Sequence, residues 1–162
     1  MNQITIRPAR AGDCDKLHDA LVQLSTDIGD DHAASANDLL RHGFTGTPAF
    51  FALLAETPGK GDVVGALMAS PLFSTTNAGV GLYVSDLWVS ASTRGAGLGQ
   101  RLLAAAVRHA EANWTVRFIK LTVYRDNPRA HAFYERLGFA EYSDETVLTL
   151  KGPALENLRK KQ

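Results

Sequence analysis

Between Val89 and Val107, one arginine and three glycines stand within six residues: Arg94, Gly95, Gly97 and Gly99. Apolar residues that read as a strand precede them, and residues at helical spacing follow. Glycine costs up to about 1 kcal/mol against alanine inside a helix, so Gly97 and Gly99 weaken a first turn unless something must approach the backbone closely. A strand, a glycine turn and a helix N-terminus together make an anion site. The first helical N–H groups lack internal partners and carry the positive end of the dipole. Phosphate is the usual guest of such a turn, and spacing separates the loops that hold it. The fingerprint G-x-G-x-x-G fails, because its third glycine falls on Gln100 or on Leu102. The loop G-x-x-x-x-G-K-[ST] fails because no Gly-Lys pair follows. What remains is an arginine followed at +3 and +5 by glycine.

A second stretch with chemistry in it is NPRAHAFYERLGF, Asn127 to Phe139. Asn127 and Pro128 stand in the order of an N-cap and a first helical residue. Ala130, Phe133, Tyr134 and Leu137 then recur at i, i+3, i+4 and i+7 before Gly138. By that pattern alone Tyr134 is a packed side chain and Asn127 a cap. The five histidines lack the i, i+4 spacing of a helical zinc pair, and the single cysteine, Cys14, reads as a small buried apolar residue; no metal is expected. Asp30 and Asp31 read either as a solvated loop edge or as a contact for a cationic substrate.

The elements that must position these residues follow from periodicity. Gln3 to Arg7 alternates as a half-buried strand. A helix capped by Asp13 carries Leu17, Leu21 and Leu24 to a stop at Gly29, and a short helix around Leu39 and Leu40 ends near Gly43. Ala49 to Glu56 and a second strand running to Pro71 form a hairpin across the turn TPGKGD, and Val80 to Val89 is a longer strand. Leu98, Leu102, Ala106 and Ala110 mark a packed helix face, and Val116 to Tyr124 returns to strand alternation. A last strand pair, Ala140 to Tyr142 and Thr146 to Leu150, precedes a tail helix from Pro153 to Lys160. Strands outnumber helices and lie mostly in hairpin order. The expected class is α/β in the broad sense, an α+β mixed sheet, mostly antiparallel, with helices on its faces.

The chain has 162 residues and is 45% hydrophobic, which suits one domain over residues 1–162. Seventeen basic and seventeen acidic residues balance, so no net field draws the chain to nucleic acid or to anionic lipid. No apolar run approaches the roughly 20 residues of a membrane span, and MNQITIRPAR lacks a signal-peptide core. The expectation is an unexported, cytoplasmic protein without a membrane partner.

Arg-x-x-Gly-x-Gly after the apolar strand ending DLWV, with NPRAHAFYERLGF about thirty residues later, resembles the GNAT superfamily of N-acetyltransferases. IRPARAGDCDKL looks like the first strand and helix of that family. DLLRHGF, PAFFALLAE and RGAGLGQRLL look like its spermidine/spermine N-acetyltransferase branch, which acetylates small amines. The resemblance implies acetyl-CoA as co-substrate, with its pyrophosphate on Arg94, Gly95, Ala96, Gly97, Leu98, Gly99 and Gln100. It implies strand N–H groups of Leu87, Trp88 and Val89 on the pantetheine and the thioester oxygen, and further cofactor contacts from Asn127, Ala130 and Tyr134. It further implies a homodimer.

Acetyl transfer to an amine asks for a neutral nucleophile, a polarised carbonyl and a proton for the leaving thiolate. By resemblance Tyr134 donates that proton. Asp86, on the strand facing the expected cleft, is the base or amine-orienting group, with Ser85 and Asp30 beside it on the substrate side. The polyamine branch has two adjacent acids where this chain has Ser85-Asp86, and an acid where Ile28 stands. The implied reaction is direct attack of a small-molecule primary amine on acetyl-CoA in a ternary complex. A non-catalytic acyl-CoA-binding regulatory module and a protein or peptide N-acetyltransferase are the competing readings.

Overall fold

The computed structural model describes residues 4–142 and 144–161. Tertiary contacts divide the chain into two compact units, Met1–Asn127 and Pro128–Gln162. The first unit holds β1 (Thr5–Pro8), α1 (Cys14–Ile28), α2 (Ala36–Gly43), β2 (Phe51–Glu56), β3 (Val63–Ser74), β4 (Gly79–Val89), α3 (Leu98–Ala110) and β5 (Val116–Lys120). Its strands form one sheet in sequence order, antiparallel from β1 to β4 and parallel between β4 and β5. The expected mixed, mostly antiparallel sheet is therefore observed.

Each helix buries the stripe its spacing marked. On α1, Cys14, Leu17, Ala20 and Leu21 are buried, and they cluster with Leu39 of α2, Ala52 and Leu54 of β2, Ala66 and Met68 of β3, and Trp88 of β4. On α3, Leu98, Leu102, Leu103, Ala106 and Ala110 are buried against the sheet. Alternate residues of a strand face opposite sides, so Ala66 and Met68 look towards α1 while Leu67 and Ala69 look the other way. Ser35 starts α2 with a reciprocal cap: its hydroxyl accepts from the Asp38 N–H at 3.2 Å, and its own N–H donates to the Asp38 carboxylate at 2.8 Å.

Two local expectations in the first unit differ from the structure. Asp13 precedes α1 but its carboxylate caps nothing there, because Arg7 takes it with two bonds of 2.7 and 2.9 Å and the Arg10 N–H donates a third at 2.8 Å. A guanidinium fork outbids a single helix-end N–H for a carboxylate. The strand expected to Tyr124 stops at Lys120, although Leu121 and Val123 continue the alternation.

The second unit holds α4 (Pro128–Arg136) and α5 (Pro153–Arg159). Between them, the expected strands at Ala140 to Tyr142 and Thr146 to Leu150 form no ladder among the described residues. Tyr142, Val147 and Leu148 are 80%, 73% and 89% exposed, so neither face of the pattern is buried and alternation has nothing to reward it. Among the described residues no helix is long and apolar enough to cross a membrane.

Candidate active site

β4 carries the feature that shapes the site. Met68 pairs with Asp86 and Ala69 with Val84, so Ser85 is one extra residue, a bulge with no partner on β3. The insertion shifts which side chains share a face. Val84 lies opposite Ala69, on the face away from α1, whereas Asp86 lies opposite Met68 and shares the α1 face with Trp88. Without the extra residue Asp86 would be aimed at the opposite face.

The same strand has an open edge. The β4–β5 ladder ends at Tyr83 and Lys120, where the Tyr83 and Thr122 hydroxyls stand 3.3 Å apart, and among the described residues no strand lies beside β4 on that side from Val84 to Val89. The Ser90 N–H donates to Val64 of β3 at 2.9 Å. Because strand N–H groups alternate between edges, Trp88 turns its N–H towards β3 while Leu87 and Val89 turn theirs to the open edge.

Beyond β4, a short 3₁₀ turn (Ala91–Thr93) leads into the glycine loop. Ser90 and Thr93 pin this turn: their hydroxyls are 2.9 Å apart, and the Thr93 N–H donates to the Ser90 carbonyl at 3.0 Å. Gly95 and Gly97 have φ of 82° and 75°, and a Cβ at either would meet no heavy atom within 4 Å. They are glycines for backbone conformation, since other residues adopt positive φ at a cost of about 1–2 kcal/mol. Gly97 is the N-cap of α3, and the first helix bond runs from the Arg101 N–H to the Gly97 carbonyl at 3.1 Å. The N–H groups of Leu98, Gly99 and Gln100 therefore precede the helical ladder. Ala96 sits on the exposed turn with Gly95, and the Leu98 side chain is buried.

Arg94 does not extend freely from this turn. Its Nε donates to the Val89 carbonyl at 2.8 Å, and its guanidinium pairs with Asp27 of α1. Asp27 also accepts from the Trp88 indole at 3.2 Å. Asp30 stands on the loop after α1, where its carboxylate accepts from the Tyr124 hydroxyl at 2.8 Å. Asp86 is half-buried and Ser85 exposed.

In the second unit, Ala130 and Tyr134 lie on α4, directly after Asn127 and Pro128. Tyr134 is half-buried between Phe133 and Phe139, with ring centroids at 5.0 and 5.3 Å. Burial pushes its phenol up to about 12. Gly138, at φ 92°, turns the chain so that the Phe139 N–H reaches back to the Tyr134 carbonyl at 3.1 Å. The tight turn brings Phe139 onto the tyrosine.

The sequence reading missed Asp27, Tyr124 and the bulge at Ser85. Asp27 and Tyr124 carry no motif, and a bulge is visible only in register. Among the described residues, no group of three or more His, Cys, Asp or Glu side chains is placed to hold a metal ion.

Residues 17–139 match the family model described as the acetyltransferase (GNAT) family. A pig protein named thialysine N-epsilon-acetyltransferase is 26% identical over 151 residues, covering 89% of this chain and 88% of the relative. The human spermidine/spermine N(1)-acetyltransferase-like protein 1 is 31% identical over 109 residues, 64% of this chain. That match spans only 16% of the human protein's length. Among solved structures, an integron cassette protein from the mobile metagenome of V. cholerae superposes with a TM-score of 0.79 at 23% identity, covering 98% of each chain. An aminoglycoside acetyltransferase from an uncultured soil sample, solved with sisomicin, gives 0.73 at 16% identity, over 91% of this chain and 97% of the other.

Proposed function

The chain belongs to the acetyltransferase (GNAT) family, and from that premise we propose that it transfers an acetyl group from acetyl-CoA to a primary amine of a small molecule, by direct attack in a ternary complex. The observation that carries this reading is the open edge of β4 from Val84 to Val89, running directly into a glycine turn whose N–H groups precede the α3 ladder. An extended chain ending in a diphosphate fits that arrangement: amides of Leu87 and Val89 are available along the edge, and no side chain lies within 4 Å of where a Cβ would stand at Gly95 or Gly97. Acetyl-CoA supplies the activated acyl carbon. The Leu98, Gly99 and Gln100 amides receive the pyrophosphate, with Arg94, Gly95, Ala96 and Gly97 shaping the turn, and Asn127 and Ala130 add contacts at the start of α4.

An amine near pKa 10 arrives protonated, so its proton must leave before attack. Asp86, turned to the α1 face by the bulge, orients that amine and accepts or relays the proton, with Ser85 and Asp30 as further substrate-side groups. Tyr134 returns a proton to the departing sulfur. Burial makes its phenol a weaker acid than a free one, so it remains protonated across working pH and yields its proton only as thiolate charge develops.

The names of the pig relative and of the soil enzyme's ligand support a small-molecule acceptor. The family match runs across the boundary of the two units, which supports one acetyltransferase domain. A cytoplasmic homodimer accompanies this reading through the resemblance. A free-thiol assay with acetyl-CoA and a panel of amines tests it. CoA release that depends on the amine is expected; a chain that binds acetyl-CoA yet releases no CoA with any amine or peptide would make it a coenzyme-binding module instead.

A further inference from the structure

One carboxylate with no part in the proposed chemistry sits at the meeting point of three elements. Asp27 lies in the last turn of α1, its side chain 35% exposed. A single oxygen, Oδ2, accepts from the Trp88 indole Nε1 at 3.2 Å and pairs with the Arg94 guanidinium. Arg94 in turn donates from Nε to the Val89 carbonyl at 2.8 Å. The planar fork is thus spread between the end of β4 and the end of α1, a geometry that fixes the guanidinium in direction as well as in place.

The turn that follows has little else to hold it. Gly95 and Gly97 have no side chains, Ala96 between them is exposed, and the hydroxyl bonds that pin the preceding turn end at Thr93.

We propose that Asp27 is a positioning residue for the coenzyme turn: through Arg94 it sets the direction of the Gly95–Gly97 backbone, and through Trp88 it aligns the end of β4, whose open-edge amides continue the same binding line. The inference rests on the acetyl-CoA reading above and adds to it a residue from the opposite side of the sheet. Coenzyme affinity is then sensitive to a helix that itself offers no ligand to the pyrophosphate.

Calorimetric titration of CoA into the full-length chain tests it, with a thermal melt of each variant alongside. Asp27→Asn keeps an oxygen for the indole and removes the charge that Arg94 pairs with; it should weaken CoA binding by about tenfold at a temperature well below its melting point. Trp88→Phe removes the indole bond and part of a buried ring while leaving the Arg94 pair in place, so at a temperature well below its melting point it should cost less CoA affinity. Arg94→Gln should weaken binding by a similar factor, and the double variant Asp27→Asn/Arg94→Gln should add almost nothing to either single change, because both break one linkage. Arg94→Lys, which keeps the charge and loses the fork, reads the junction from the other side if Asp27→Asn does not fold. Binding by Asp27→Asn within twofold of the natural chain, or additive losses in the double variant, would overturn the inference. A natural chain that does not bind CoA would instead sink the acetyl-transfer reading, and this inference with it.

Discussion

The Tyr124 hydroxyl donates a 2.8 Å hydrogen bond to Asp30 Oδ2, joining the loop after α1 to the chain beyond the end of β5. α1 packs on one face of the sheet and β5 lies at its edge, so this bond joins the end of a face helix to the chain that follows an edge strand.

In the proposed reading Asp30 stands on the substrate side, and that bond places Tyr124 beside it. The Asp30 carboxylate, first through the hydrogen bond and then through its charge, raises the Tyr124 phenol above its ordinary value, so the proton stays on Tyr124. Tyr124→Phe frees Asp30 to move. We expect the KM for the amine to rise roughly threefold to tenfold, with the affinity for CoA unchanged. Initial rates against amine concentration at saturating acetyl-CoA measure it, and an unchanged amine KM would remove Tyr124 from the acceptor side.

Tyr134→Phe should lower kcat by about tenfold or more and leave CoA binding intact, since a phenyl ring keeps the packing against Phe133 and Phe139 and loses only the hydroxyl. The pH profile carries a second signature. With the phenol held up to about 12, its ionisation produces no falling limb below pH 10, and kcat/KM should rise through the alkaline range as free amine becomes available. A descending limb near pH 9 would assign the proton donor to another group.

How far the sequence could be read depended on whether a feature is local. α1 and its stop at Gly29, the start of α3 at Leu98 and the start of α4 at Pro128 follow from spacing and from residues that suit one backbone conformation. The bulge at Ser85 has no such signal: SDLW alternates equally well with or without an extra residue, and only the pairing with Met68 and Ala69 reveals it. Asp13 misleads for a related reason: it reads as a helix cap, and Arg7 takes it across a turn. Asp27 carries no signal of its own, and its partner Arg94 is distant in the chain. Leu121, Val123 and the residues from Thr146 to Leu150 keep a strand pattern without a ladder, because alternation describes a face and does not supply the neighbouring edge.

Gly97→Ala tests the turn itself. A methyl group would meet no heavy atom within 4 Å, so the penalty is conformational, from φ 75°, and amounts to about 1–2 kcal/mol. A melting temperature lower by roughly 2–8 °C is expected for a chain of this size. CoA affinity should fall as well, because relief of the strain redirects the amides at the start of α3. A variant that loses stability but binds CoA as before would show that this turn does not hold the diphosphate.

The network around Arg7 sets the response to acid. Arg7 donates to Asp13 at 2.7 and 2.9 Å and to Glu56 at 2.8 Å through two nitrogens, while Lys16 reaches Glu56 at 3.0 Å. Hydrogen bonds from Arg7 are the largest cause of both carboxyl shifts, holding Asp13 down to about 2 and Glu56 below the usual glutamate range, and Arg7 is pushed further above its own ordinary value. A carboxyl whose folded pKa is depressed leaves the unfolded chain binding more protons between the two values. Its stabilisation is thus present above about pH 4–5 and lost as pH falls towards about 2. Asp13→Asn should cost about 2 kcal/mol at pH 7 and flatten the decline below pH 5, while the natural chain loses stability steeply. Urea unfolding at pH 7, 5 and 3 separates the two; equal slopes for variant and natural chain would mean that the Arg7–Asp13 pair does not govern acid stability.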